Sequence, residues 1–290
     1  MTAAAPVDNQ QQIEYWNSRA GDTWAQLQTI LDQQIAPFGT QLIYALAPTA
    51  GERILDIGCG CGQTTLDIAA RVSPTGRAVG VDISRPMLQV ARNRAAAAHL
   101  DVTWLEADAQ TADLRQASGI DEFDAACSRF GVMFFGDPVH AFRNVRRSLR
   151  RGGRLTFVCW RPLTENPWMQ VPLQAALPLL PPLPAADPHA PGPFAFADPA
   201  RVQRILTEAG FSRVSYAPFD AQIGSGDIDQ TLHLMMRVGP LGAALRDHPQ
   251  CKDAVMGAVR TALLPHASSA GGTILLPGGI WVFAAHNDAP

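Results

Sequence analysis

Apolar residues recur at three- and four-residue spacing near the start of the chain. Trp16, Ala20, Trp24, Leu27, Leu31 and Ile35 form one stripe of a helix. Pro37 and Pro48 punctuate the next stretch. At Gly51 the rhythm changes. Short apolar runs at 53–57, 78–81, 102–105, 123–127 and 154–159 read as strands. Helical stretches lie between them at 63–72, at 86–98 behind a Ser84 cap, and from Asp137-Pro138 to Leu149. Short strands that alternate with helices of about 10–15 residues predict a parallel sheet with crossover helices.

After Trp160 the alternation stops. Residues 161–200 hold 11 of the 23 prolines. That segment reads as a long surface loop or as a lid and pocket wall. A helix is predicted at 198–210, with Asp198 at its N-cap and Gly210 at its end. A strand is expected at 211–219. Helical material fills 227–264, interrupted by Gly239-Pro240 and Pro249, and a last strand lies at 279–285. No internal repeat is visible.

Composition narrows the class. The chain has 290 residues, 47% of them hydrophobic, and a net charge of -3. This is a globular composition with enough apolar material for a large core. The mild acidity argues against a nucleic-acid binder, which needs a basic face. No apolar run reaches the roughly 20 residues of a membrane span. Residues 1–12 show neither a basic start nor an apolar run, so no secretory signal is expected. Five cysteines without a C-x-x-C pair are neither a disulfide framework nor a zinc pattern, and a reducing cytoplasm is the simplest location. Lys252 is the only lysine. That removes a Walker P-loop, which needs a lysine after its glycines, and leaves no plausible Schiff-base lysine for pyridoxal phosphate.

The strongest motif is Asp56-Ile57-Gly58-Cys59-Gly60-Cys61-Gly62, between a strand and a helix. Glycine there lets a ligand approach the backbone, and the next helix offers unpaired N–H groups. A dinucleotide loop needs G-x-G-x-x-G, but the sixth position counted from Gly58 is Gln63. The D-x-G-x-G-x-G form instead resembles the first motif of class I S-adenosylmethionine-dependent methyltransferases. Four further elements match that family in order: Asp82 at the end of the second strand, Glu106-Ala107-Asp108-Ala109 after the third, Cys127 to Phe135 after the fourth, and Asp137-Pro138 with the turn Arg151-Gly152-Gly153 before the fifth. Together they cover residues 51–160. Tyr15-Trp16-Asn17 with Trp24 also resembles the aromatic helix before the glycine loop in ubiquinone/menaquinone-biosynthesis-type methyltransferases.

The resemblance implies a Rossmann-like α/β fold: a seven-stranded, mostly parallel sheet with one antiparallel strand, helices on both faces, and a helical and loop cap. Residues 1–50 would form a helical cover. Residues 51–290 would form one catalytic domain with cap insertions at about 161–200 and 225–270. S-adenosylmethionine is the implied cofactor. Its contacts would come from Tyr15 and Trp16 in the cover, and from Asp56, Gly58, Gly60, Gly62 and Gln63 in the first loop. Asp82, Ile83 and Met87 would come next, then Asp108, Ala109, Ser128 and Phe130. Asp82 suits the ribose hydroxyls, and Asp108 the adenine amine. Aromatic rings near a sulfonium also have a physical rationale in cation–π attraction, although Trp16 and Trp24 fit ordinary core packing equally.

Two residues are candidates for the chemistry. Arg129, next to the expected methyl, suits a cofactor carboxylate, a substrate anion or a structural ion pair. His233, among Leu232, Leu234, Met235 and Met236, suits a general base in an apolar lining or a merely packed histidine. Cys59 and Cys61 read as small space-fillers, and no metal site is expected. The expected reaction is methyl transfer to a small, largely hydrophobic acceptor at oxygen or carbon, by in-line displacement. A nicotinamide-dependent oxidoreductase and a non-catalytic partner protein are the alternatives. The expected partner is the small-molecule acceptor, and a homodimer stays open.

Overall fold

Seven strands form one sheet: β1 Arg53–Ile57, β2 Arg77–Asp82, β3 Val102–Glu106, β4 Phe123–Arg129, β5 Leu149–Trp160, β6 Ser212–Ile223 and β7 Leu276–Asn287. Their order is β3-β2-β1-β4-β5-β7-β6. The computed structural model describes residues 9–182, 187–269 and 271–288. Strands β1 to β5 pair in parallel, and β7 runs antiparallel to both β5 and β6. This is the expected sheet, with β7 as its one antiparallel strand. The central strands are apolar on both faces because helices cover both: in β1, Ile54 to Ile57 are all buried. The chain reverses its order between β1 and β4, and such a switch point leaves a crevice at the strand ends.

The helices between strands are α5 Gln63–Val72, α6 Arg85–Ala97, α7 Leu114–Ser118 and α8 Pro138–Ser148. The short α7 has no counterpart among the expected elements; Asp113 caps it by accepting from the Arg115 and Gln116 N–H groups. Strand β5 begins five residues earlier than the sequence suggests. Its pairing with β4 jumps from Phe123↔Leu149 to Ala125↔Arg154, so the glycine turn bulges out of the strand instead of preceding it.

Four short helices precede β1: α1 Gln10–Trp16, α2 Arg19–Gln26, α3 Gln28–Gln34 and α4 Ala36–Leu46. The single stripe expected from Trp16 to Ile35 is therefore divided, although all its members except Trp24 are buried. Pro37 does not break a helix. It lies in the first turn of α4, where its missing N–H costs nothing. Phe38, Leu42 and Leu46 of α4 are fully buried in the main core. Helix α4 is thus continuous with the sheet domain, while α1 to α3 do the covering.

Beyond β5, α9 Pro167–Ala176 and two 3-10 turns replace the expected bare loop. α10 Pro199–Glu208 is capped by Asp198, which accepts from Ala200 N–H at 2.9 Å. Between β6 and β7 lie α11 Ile228–Met235, α12 Gly239–Asp247 and α13 Lys252–Leu263. Gly239-Pro240 opens α12 rather than interrupting a helix. α9 packs against α12, α13 and β7, so the two insertions pack against each other and against the sheet. Parts of the expected cover (1–8) and insertions (183–186, 270) lie outside the described residues. Among the described residues no helix is long and apolar enough to cross a membrane.

Candidate active site

The loop after β1 carries the first group of site residues. Gly58 adopts φ +63, and a Cβ there would meet Gly131 Cα at 2.7 Å. The β1 and β4 turns therefore touch backbone to backbone, which only two facing glycines permit. Gly62 begins α5 with φ +84, and a Cβ on it would strike the Trp104 ring at 2.6 Å. Asp56, at 1% exposure, accepts from Thr65 Oγ1 at 2.6 Å and from Cys127 Sγ at 3.7 Å. Burial pushes its pKa up to about 6, against the pull of Thr65 and of the Arg129 charge.

Asp82 ends β2 and ties two turns together. Its Oδ2 accepts from Gly60 N–H and its Oδ1 from Ser84 N–H, both at 2.8 Å. Burial raises its pKa, and these backbone donors oppose the rise. Ser84 Oγ donates to the Trp16 carbonyl at 2.8 Å, and Asn17 Nδ2 to the Ile83 carbonyl at 2.7 Å. These bonds dock the N-terminal cover onto the β2–α6 turn. Asp108 Oδ1 accepts from Gln110 N–H at 2.9 Å and from Asn9 Nδ2 at 3.2 Å.

A cavity of about 190 Å³ runs along the carboxyl ends of the strands. Over β1 to β3 it is lined by Asp56, Gly58, Gly60, Asp82, Ile83 and Met87, with Asp108, Ala109 and Asn9 at the far end. Trp16 also lines the cavity. Its ring meets Phe134 edge-on at 5.1 Å and Trp24 at 5.8 Å. Over β4 and β5 the lining is aromatic and aliphatic: Phe130, Met133, Trp160, Trp168 and Met169, with Leu31 and Ile35 from the cover and Val238 from the second insertion. Phe130 has φ +67, a costly conformation for a bulky side chain, and its ring stacks on Trp160 at 4.2 Å. Arg129 also lines the cavity. Its Nη2 pairs with Asp32 Oδ1 at 2.8 Å, and Asp32 Oδ2 in turn receives Arg94 at 3.1 Å and Gln28 Nε2 at 2.6 Å.

The structure brings eleven of the sixteen residues singled out in the sequence to this cavity. Five stand apart. Ser128 is fully buried and works on the backbone: its Oγ donates to the Ile57 carbonyl at 2.7 Å and accepts from Gly131 N–H at 3.1 Å. Gln63 bonds Asp67 and Arg94. Gly62 makes room for the Trp104 ring. The Tyr15 side chain is 39% exposed and receives Arg246 at 3.1 Å. His233 is exposed on α11, with Arg237 within hydrogen-bonding reach of both its ring nitrogens. Partial desolvation and then the Arg237 charge hold its pKa below the usual histidine value. The expected apolar pocket around His233 is thus corrected. Sequence neighbours on a helix point about 100° apart, so Leu232, Leu234 and Met235 turn inward and His233 outward.

Sequence reasoning missed Asn9, Asp32, Gln34, Trp168, Met169 and Val238 as cavity residues. Gln34 left a usable trace: it comes three residues after Leu31 and precedes Ile35, so it is a polar residue on an apolar stripe. The others come from distant segments with no spacing in common. Among the described residues no group of three His, Cys, Asp or Glu could hold a metal ion.

Comparison with known proteins agrees with this geometry. Residues 54–153 match the methyltransferase domain family. The chain is 33% identical over 171 residues to a demethylmenaquinone methyltransferase of Thermus thermophilus, covering 56% of this chain and 76% of that protein. It is 34% identical over 122 residues to an aklanonic acid methyltransferase of Streptomyces, covering 42% of this chain and 54% of that one. The chain spans about half the length of the first curated relatives it matches. In structure it resembles the YcgJ protein of Bacillus subtilis, with a TM-score of 0.55 and 18% identity over 87% of this chain and 98% of that one. Glycine loop, sheet order and sequence likeness agree, and the chain belongs to the class I S-adenosylmethionine-dependent methyltransferases.

Proposed function

We propose that the chain transfers the methyl group of S-adenosylmethionine to a small, largely hydrophobic acceptor, at oxygen or carbon. The observation that carries this reading is the division of one cavity into two chemistries. The half over β1 to β3 is rich in carboxylates, and the half over β4 and β5 is rich in aromatic and aliphatic side chains. Two relatives named for demethylmenaquinone and aklanonic acid support a small-molecule acceptor.

The carboxylate half fits the cofactor. Asp82 has used one lone pair on each oxygen for a backbone N–H, which leaves both oxygens able to accept from ribose hydroxyls. Asn9 is buried and its Oδ1 has no hydrogen-bond partner among the described residues, while its Nδ2 is bound to Asp108. This orphan acceptor lies beside the carboxylate expected to hold the adenine amine, and such an amine carries two hydrogens. Asp56, buried and reluctant to ionise, suits a cationic group that would favour its charged form. Arg129 would face the carboxylate of the same amino-acid end while Asp32 orients its guanidinium. When bound, the cofactor supplies a methyl already activated by its sulfonium.

The chain's own task is then positioning and water exclusion. Trp16 and Phe134, packed edge-on, line the cavity. Phe130, stacked on Trp160, forms part of the acceptor wall. No histidine lines the cavity among the described residues, so the acceptor must bring a nucleophile of low proton affinity or lose its proton to a carboxylate. The test is labelled S-adenosylmethionine offered with apolar phenols and quinols, and separately with peptides and RNA. Label in the phenols or quinols supports the reading. Label in macromolecules alone overturns it.

A further inference from the structure

The largely apolar acceptor half of the cavity carries one polar group that nothing among the described residues satisfies. Gln34 ends α3 at 1% exposure, and its Oε1 has no hydrogen-bond partner among the described residues. It lines the cavity together with Leu31, three residues earlier on the same helical face, and with Ile35 beside it. Its polar neighbours are already engaged. Asp32 is held by Arg129, Arg94 and Gln28. Buried amides in folded proteins nearly always find partners, because an unmade bond costs folding free energy. An amide kept without one, at the wall of a cavity, points to a ligand that completes it.

We propose that Gln34 selects the acceptor by hydrogen-bonding a hydroxyl group on an otherwise apolar ring system. The proposal rests on the hydrophobic-acceptor reading above and adds the polar handle by which such a molecule is oriented. An amide carries both a donor and an acceptor, and a hydroxyl can answer either. A site built to bond a hydroxyl discriminates against the analogue that lacks it, because the protein group is then left unpaired. A hydroxyl held by Gln34 would also fix which face of the ring system meets the cofactor half.

The experiment uses the full chain saturated with S-adenosylhomocysteine, with calorimetric titration of 2-naphthol and 2-methylnaphthalene. The two probes have similar size and differ in the hydroxyl. The expected result is about tenfold tighter binding of 2-naphthol. Gln34→Met, similar in volume, should bring the ratio near one and leave S-adenosylhomocysteine affinity unchanged. It should also raise the unliganded midpoint by roughly 2 °C, because it removes an unsatisfied buried group. Gln34→Leu serves as the second variant should Met pack poorly. Both probes binding equally to the unsubstituted chain would overturn the proposal and leave the hydrophobic-acceptor reading standing. A lowered midpoint in both variants, with the ratio unchanged, would show the amide to be structural and also overturn it. Failure of both probes to bind while S-adenosylhomocysteine still binds would overturn the hydrophobic-acceptor reading itself, and the proposal with it.

Discussion

The two halves of the cavity are built by different means. The half over β1 to β3 comes from three consecutive strand–turn units, and each turn places its residues by its own backbone. Asp82 shows how: it bonds Gly60 and Ser84, and so sets the two loops on either side of it. The half over β4 and β5 has no such local logic. Leu31, Phe130, Trp168 and Val238 meet there from four segments spread over two hundred residues. Turn-built geometry tolerates little change and serves a constant ligand. Wall-built geometry can vary one side chain at a time and suits a ligand that changes.

The largest expected effect tests the rigid half. Asp82→Ala removes the carboxylate and the two backbone bonds it accepts. S-adenosylhomocysteine affinity, measured by calorimetry, should fall at least 100-fold, equivalent to about 3 kcal/mol. The unliganded midpoint should fall as well, because Gly60 and Ser84 lose their acceptor. Affinity within threefold of the original chain would show that this half does not hold the cofactor. A smaller effect should come from pH. Asp56 has a pKa near 6, raised by burial, so the folded chain favours its protonated form. The stability from this group is full below the ordinary carboxylate range and is lost as pH rises through about 6. A cation bound beside Asp56 favours the ionised form and reverses that preference. S-adenosylhomocysteine should therefore bind about tenfold more weakly at pH 5 than at pH 7. Asp56→Asn should flatten the slope. A slope that survives in the variant would assign the proton elsewhere.

The same division explains what could be read from the sequence. The order D-x-G-x-G-x-G, then Asp82, then Asp108, is local: each residue ends a short apolar run, and the strand period places it at a carboxyl end. Ser128 and Gln63 were legible as part of the site's neighbourhood, but not as to what they touch. A buried hydroxyl that bonds backbone looks the same in sequence as one that faces a ligand. The acceptor wall was not legible, because convergence of α3, α9 and α12 depends on packing between distant elements. Even so, Gln34 broke an apolar stripe, and a polar residue in such a position is the trace a buried binding group leaves.

The wall should be adjustable without harm to the turns. Trp168 is 8% exposed and bonds Asn166 Oδ1 through its indole N–H at 3.2 Å. Trp168→Leu should cost about 1–2 kcal/mol of stability, read from denaturant unfolding, because it opens space on one side of an existing cavity. The acceptor KM should rise about tenfold while S-adenosylhomocysteine affinity stays within twofold. Equal losses in both would mean that the halves are coupled through the Phe130–Trp160 stack and do not vary independently.

The smallest expected effect falls on His233. Its flanking leucines and methionines suggest an apolar pocket, yet the helix turns the ring to solvent beside Arg237. A general base must reach the proton it removes, and His233 does not line the cavity. Partial desolvation and then the cationic neighbour favour the neutral ring, so the lowered pKa needs no active-site explanation. His233→Ala should therefore leave kcat, acceptor KM and the unfolding midpoint nearly unchanged. The rate profile between pH 5 and 8 should keep the same inflections. A hundredfold loss of kcat with an intact fold would require the second insertion to close far enough to carry α11 into the cavity. The acceptor wall would then be a moving part rather than a fixed one.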